Sequence, residues 1–536
     1  MNPADLAFAI TRVVDLPAIA RAAGAELSAD DVAAICEEAG RFAAAHVAPG
    51  WQEADRHGCA YANGTVTTPP HYKPLMQDWI ASGWQGLAAP AEHGGQGLPH
   101  TLWAAVLELL TASDMAFTLC PLLTAGAVDL LAHHATPEQA ARLLPPLVEG
   151  RWNGTMCLTE PQAGSDLSTI RTRAEPQGTG YALHGQKIYI TWGDHDCTEN
   201  TLHLVLARLP GAPEGSRGIS LFAAPKLLPD GARNALRCGG IEKKLGIHAS
   251  PTCVMLFEGA AAELIGEPHR GLAAMFAMMN AARLGVGIEG VGQCFRALAL
   301  AEPFAENRVQ GGVAIARHAD VARMLLEMRA IAWAGRLLAL EAAACLDRAK
   351  LLGDAAAETR LALLTPIVKA WCTDRGVEVA SLGVQVHGGM GFVEDTGAAQ
   401  VLRDARIAPI YEGTNGIQAI DLVTRKVAKD GGAVMAALLD EAEAAEPRLA
   451  PAIAALRSAT AWILAAQARD PALAQASAAA YLEAAGWTLG GWMLARAAAA
   501  DPAHGPLAAF YLARLLPRAI ARAAEVEAGE TVLAAA

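Results

Sequence analysis

The chain reads as an α+β protein, mostly α: an N-terminal helical domain, a middle β-domain, a C-terminal helical bundle and a helical extension. Three observations carry this reading. Apolar residues recur at helical spacing through the first third and again after Gly271. From Gly154 to about Phe257, short runs with β-branched residues are separated by Gly, Pro, Asn and Asp. Beyond Asp430 the sequence is dominated by alanine, a strong helix former. These shifts place the boundaries at 1–153, 154–268, 269–429 and 430–536. A length of 536 residues suits three or four domains at about 150 each.

Taken in order, residues 30–46 place apolar groups on one helical face, with Asp30 and Asp31 favourable at its positive end. A second helix is expected from about Leu102 to Leu110, and a third after Thr136-Pro137-Glu138, with Thr136 as N-cap. Turn-rich segments, Thr68-Pro69-Pro70 and His93 to Gly97, lie between them. Strands are expected at 181–184, 187–192, 202–207, 218–222 and 253–257, forming an antiparallel sheet or barrel. No long helices alternate with these runs, so a Rossmann sheet is not indicated. Helices near 272–306, 314–350, 359–385 and 415–428 suit a bundle.

Composition narrows the function. The net charge is −13 and aromatic residues are only 5%, which disfavours a nucleic-acid binder needing cations against phosphates. The ten cysteines form no Cys-x-x-Cys pair and sit in no histidine cluster. They read as small buried side chains in a reducing compartment, and no metal site is expected. No basic stretch precedes an apolar one at Met1–Asp5, and charges interrupt each apolar run before the ~20 residues of a membrane span. A cytoplasmic protein without a membrane span is the expectation.

Four stretches invite a chemical reading. Gly285-Val286-Gly287-Ile288-Glu289-Gly290 fits G-x-G-x-x-G but lies inside a helical run, so close helix packing explains it better than a dinucleotide site. Met156 to Asp166 joins a strand to a loop rich in hydroxyls, carboxylates, Pro and Gly, either a plain turn or a cradle for a polar ligand. Gln385-Val386-His387-Gly388-Gly389 permits close backbone approach. In Arg403 to Gln418, Glu412 stands between an apolar run and a Gly-Thr turn. That setting desolvates a carboxylate toward a general-base range; an exposed loop glutamate is the competing reading.

Together these stretches resemble the acyl-CoA dehydrogenase family. The match runs in order through Leu158-Thr159-Glu160-Pro161 to Asp166, Lys187 to Thr191, Lys244-Leu245-Gly246, Asn280-Ala281-Ala282-Arg283, Arg308, and the Gly-rich and Glu-Gly-Thr segments. It covers roughly residues 30 to 428. The resemblance implies a homodimer or homotetramer carrying FAD, with α,β-dehydrogenation of an acyl-CoA thioester to the 2-enoyl-CoA in fatty acid metabolism. Glu412 is then the base, and the β-hydrogen leaves as hydride to flavin N5. The α-carbon is a weak acid, so enolate-like charge on the thioester carbonyl must be stabilised by hydrogen bonds. The family supplies them from the flavin ribityl hydroxyl and the backbone N–H of the catalytic glutamate. Some members place the base just before the arginine matching Arg283; Ala282 stands there in this chain, which leaves Glu412.

By the same resemblance, Met156, Leu158, Thr159, Gly164, Ser165, Tyr189, Ile190 and Thr191 contact the flavin. Arg308 meets the pyrophosphate, and Gln385, Val386, His387, Gly388, Gly389, Thr414, Asn415 and Gly416 hold FAD of the neighbouring subunit. Ser165, Asn280, Arg283 and Gly413 belong to acyl-CoA binding. Electron-transfer flavoprotein is the implied electron acceptor; an acyl-CoA oxidase using oxygen is the alternative. A DNA-associated flavoprotein relative is a further one, but residues 430–536 carry seven Arg against eleven Asp and Glu, whereas such relatives have a basic C-terminal region.

The chain departs from the family where Val309-Gln310-Gly311-Gly312 and His318-Ala319 follow Arg308, and where Trp192 follows Thr191 in place of a frequent Asn. His248 also stands where an arginine is common. The segments Ile241 to Thr252, Gly193 to Asp196 and Gly94 to Pro99, with the extension, resemble the 3-methylmercaptopropionyl-CoA dehydrogenase-like branch. That leaves the acyl group open: methylthiopropionyl, short, medium or larger.

Overall fold

A computed structural model describes residues 2–535. The chain forms two compact units, each gathered from separate stretches: one from the residues up to Phe42, Pro99–Ala112 and Arg283 onward, the other from Ala43–Leu98 and Ser113–Ala282.

The second unit is built around a seven-stranded sheet. Its strands are β1 (Trp152–Cys157), β2 (Arg173–Gln177), β3 (Gly180–Thr191), β4 (Asn200–Arg208), β5 (Ile219–Pro225), β6 (Leu236–Ile241) and β7 (Thr252–Ile265). The pairing runs β1-β4-β2-β3-β7-β5, and β5 also pairs with β4, so five strands close on themselves as a barrel with β6 attached to β7. A wholly antiparallel sheet is corrected: β1 lies parallel to β4 from Trp152↔Asn200 to Cys157↔Val205, and β2 meets β4 in parallel at Arg173↔Arg208. The long chain between β1 and β4 permits this, since parallel neighbours need a long connection.

Strand β4 is buried on both faces. Val205 and Ala207 enter the barrel core with Phe222, Met255 and Phe257. Leu202, Leu204 and Leu206 face the other way, into a core shared with Leu130, Leu131, Leu143 and Leu147 from two helices, Met115–His134 and Pro137–Val148. A two-residue side-chain period delivers one apolar set to each layer. Thr136 caps the second helix in a full capping box with Gln139.

The first unit is helical. Its main helices are Ala29–Phe42, His100–Thr111, Ala319–Leu352, Ala355–His387 and the part of Gly271–Asn307 from Arg283. The glycine-rich motif lies within that last helix, as expected. A Cβ at Gly287 would stand 2.5 Å from Val368, and one at Gly290 2.4 Å from the Cys372 carbonyl oxygen, so these glycines let the Ala355–His387 helix approach closely. Buried Arg336 is held by Glu108, with Nε 3.0 Å from Oε1. The extension belongs to the same unit. Its helix Pro471–Ala500 brings Trp487 edge-on to Trp371 at 5.2 Å, and Glu483 to Arg375.

The expectation that charges break every long apolar run is corrected. Among the described residues, three helical segments, Met115–His134, Gly271–Asn307 and Pro447–Arg469, are long and apolar enough to cross a membrane by length and composition. Alanine and glycine extend their runs between isolated charges, and most of the first is buried inside the protein.

Candidate active site

Glu412 lies in an irregular segment between two helices, Ala398–Ala405 and Asn415–Asp421. It has φ +57°, a conformation in which a non-glycine residue is strained, and Gly413 continues at φ +88°. The surroundings impose this geometry. Lys369 of the Ala355–His387 helix donates to the Gly413 carbonyl at 2.8 Å and to Asn415 Oδ1 at 2.9 Å. Gln418 Nε2 donates to the Glu412 carbonyl at 3.3 Å. Thr414 caps the following helix by accepting from the Ile417 N–H. Asn415 Nδ2 donates to Thr373, Asp374 and the Ala370 carbonyl, so its side chain anchors the turn to that helix.

Burial pushes the Glu412 carboxyl up to about 7, against the opposing pull of Arg283 and Lys369. Burial in turn lowers Lys369 to about 8 and lowers Arg283. A carboxylate that is poorly hydrated yet ionisable near neutrality, beside two cations, is equipped to take a proton from carbon. Arg283, predicted for the substrate, is buried in this cluster, and its guanidinium lies 4.0 Å from the Cβ position of Gly413.

The second unit holds the other predicted group. The strand-to-loop stretch from β1 is clasped by a buried ion pair: Lys187 Nζ donates to Glu160 Oε1 at 2.8 Å and to the Leu158 carbonyl at 2.9 Å. Glu160 also accepts from the Arg171 and Thr172 N–H groups. Burial raises its carboxyl, but Lys187 and these hydrogen bonds outweigh that and hold it at about 2. The clasp leaves Gly164 and Ser165 exposed at the loop tip, with Met156 and Thr159 half-buried and Leu158 buried.

Strand β3 shifts register against β7 between Lys187 and Ile190, a bulge at which Tyr189 takes φ +59°. The Ile188 N–H donates to the Thr159 carbonyl at 2.9 Å, tying bulge to loop. Tyr189 is therefore 60% exposed while Ile190 is buried and Thr191 half-buried. The sequence-predicted flavin contacts in this unit thus lie side by side. Trp192, also at positive φ, is fully buried against Tyr72 at 5.8 Å and belongs to the core.

The remaining predicted residues are placed as follows. Arg308, Gln385, Gly388, Gly389, Thr414 and Gly416 are exposed. Val386 and His387 are buried; the His387 ring lies 4.4 Å from that of Phe304 and bonds the Gly383 carbonyl through Nδ1. Asn280 is exposed on the Gly271–Asn307 helix. His318 braces the Val309–Ala314 hairpin through the Gln310 carbonyl, and His248 pairs with Asp55 at 3.1 Å. Among the described residues no group of three or more His, Cys, Asp or Glu is placed to hold a metal.

Sequence reading missed Lys369, Tyr411 and Glu289 as site residues. Lys369 was signalled as the one charge in the apolar run Leu361 to Thr373, and Glu289 as a carboxylate inside a glycine-rich helix packing face. The Glu160–Lys187 pairing carried no such signal, because one partner sits in a loop and the other on a strand 27 residues on.

Profiles of the acyl-CoA dehydrogenase N-terminal, middle and C-terminal domains match residues 29–151, 155–260 and 269–427. One described as acetyl-CoA dehydrogenase C-terminal like matches 423–536. The 3-methylmercaptopropionyl-CoA dehydrogenase of Ruegeria pomeroyi is 45% identical over 95% of this chain and 93% of its own length. A broad-specificity linear acyl-CoA dehydrogenase of Mycobacterium tuberculosis is 32% identical over 81% of this chain and 76% of its own. Among solved structures, acyl-CoA dehydrogenase complexed with FAD from Bacillus anthracis shares the fold at a TM-score of 0.78 and 22% identity, covering 94% of this chain and 90% of that one. With all four domains matched in order and a relative this similar along nearly its whole length, the chain belongs to the acyl-CoA dehydrogenase family.

Proposed function

We propose that this chain is an FAD-dependent dehydrogenase of an acyl-CoA thioester, with Glu412 as the base. One observation carries the reading: a strained, half-buried carboxylate, raised to about 7 by burial, flanked by Arg283 and Lys369. The carboxylate takes the α-proton, and the C–H electron pair becomes the α,β double bond as the β-hydrogen leaves with its own pair. Bound FAD supplies the acceptor of that hydride, at N5. The Glu412 backbone N–H supplies one hydrogen bond to the thioester carbonyl as charge develops there.

The residues fit such a cofactor. A bulge that leaves Tyr189 largely uncovered lies beside a loop whose Gly164 has open space where a Cβ would stand. A broad ring and a polar chain need that combination of apolar face and free backbone. Met156 to Ser165 and Tyr189 to Thr191 would hold the flavin, Arg308 the pyrophosphate, and Gln385 to Gly389 with Thr414 to Gly416 the flavin of a second copy in a homodimer or homotetramer. The relatives compared above are both named dehydrogenases, which favours a dehydrogenase over an oxidase, with electron-transfer flavoprotein as the acceptor.

Anaerobic mixing with a panel of acyl-CoAs, methylthiopropionyl-CoA and straight chains included, tests the reading by flavin bleaching. Glu412→Gln is expected to keep yellow, bound flavin and lose bleaching by every thioester. Full bleaching in that variant places the base elsewhere, and oxygen uptake during turnover would replace dehydrogenase by oxidase.

A further inference from the structure

The catalytic reading above leaves one buried carboxyl unused. Glu289 lies on the Gly271–Asn307 helix, completely shielded from solvent. Its Oε2 is hydrogen-bonded to the Tyr411 hydroxyl, and Tyr411 is the residue immediately before the base. Its Oε1 has no hydrogen-bond partner. Among the described residues no cation stands within ion-pair distance of it. Lys369, the nearest in electrostatic effect, has its ammonium committed to the Gly413 carbonyl and Asn415.

Charge decides the protonation state. A carboxylate here would leave an anionic oxygen dry and unpaired, which costs far more than leaving a neutral acid group unpaired. The groups facing Glu289 add to the argument. Tyr411 offers one hydrogen bond, Lys369 a distant positive charge, and Glu412 a second negative charge in the same cluster, itself balanced by Arg283. Two carboxyls sharing a dry region do not both ionise cheaply.

We propose that Glu289 is held as a neutral carboxylic acid and, through Tyr411, acts as a positioning residue that keeps a second negative charge away from Glu412. This rests on Glu412 being the base. The proton stays on Glu289 while Glu412 exchanges its own with the substrate. Burial supports the assignment by raising Glu289 to about 8, above Glu412. Such a pair titrates in two coupled steps.

Infrared spectroscopy of the flavin-loaded protein without substrate tests the protonation state directly. Glu412→Gln removes the base's own signal, so a deuterium-sensitive carboxylic-acid carbonyl band is expected in that variant at neutral pH and absent once Glu289→Gln is added. Identical spectra overturn the proposal. Tyr411→Phe is expected to move the band, and an unmoved band breaks the link to Tyr411. In kinetics, wild-type flavin reduction should show a second, alkaline inflection that Glu289→Gln abolishes. An inflection that persists in Glu289→Gln belongs to Lys369 and overturns the proposal. Should Glu412→Gln still bleach, the base reading fails, and the infrared comparison still reports on Glu289.

Discussion

A base that attacks a C–H bond must be ionised yet poorly hydrated, and in the proposed role of Glu412 the cations around it reconcile the two demands. Lys369 offsets part of the burial that raises the carboxyl. Replacing it by methionine should therefore move the ascending limb of the pH profile for flavin reduction to higher pH, by about one unit; an unmoved limb would show that Lys369 serves only to hold the turn. Glu160 has the opposite sign. Its folded value, about 2, lies below the ordinary 4.5, so its contribution to stability is fully present above that ordinary value and is lost as pH falls through about 2. Glu160→Gln leaves Lys187 buried without its counter-charge, and a loss of about 3–5 kcal/mol is expected in denaturant unfolding near neutral pH. The variant should also lack this acid-dependent loss. Glu412 was legible as the base through the family resemblance; its neighbours alone read more readily as an exposed loop. Glu160 was legible as part of a loop, but its role as the clasp of that loop was not.

At the scale of elements, two features depend on backbone detail. The capping box at Thr136 satisfies N–H groups that the helix start leaves unpaired, and Thr136→Ala should cost about 1 kcal/mol, read as a lower Tm. Gly290 meets backbone rather than a yielding side chain, so Gly290→Ala should destabilise by about 1–3 kcal/mol. Gly164→Ala, with open space at its Cβ, should leave the melting temperature unchanged. The bundle helices and the strands β3, β4, β5 and β7 were legible from their periods. The bulge at Tyr189 was not, because a register shift depends on the partner strand, and Lys187 to Trp192 reads as an unbroken strand by itself. The parallel pairing of β1 with β4 was hidden for the same reason.

At the scale of the molecule, the extension is part of the unit that carries Glu412, the proposed base. Trp371, fully buried, packs on Trp487, and Arg375 and Arg518 lie 4.7 and 4.9 Å from the Trp487 ring. Arg375 adjoins Asp374, which accepts from Asn415 of the turn that holds Glu412. Removing residues 430–536 should expose Trp371 and unsupport that helix. Aggregation on gel filtration with loss of bound flavin is the expected result, and a monodisperse yellow product would contradict it.

Amino-acid order alone placed the long bundle helices and the strands β3, β4, β5 and β7 and marked the loop from Met156 to Ser165 and the glycine-rich segments, and the family resemblance it carries pointed to Glu412. Those properties are local: they follow from side-chain period, turn chemistry and short spacings that need no partner. Only the packed chain decided which charges lie beside Glu412, that Glu289 is dry with one oxygen unpaired, and that Lys187 neutralises Glu160. Burial and Coulomb interaction depend on distance in space, and residues such as Glu289 and Tyr411 are brought together only when the helices pack.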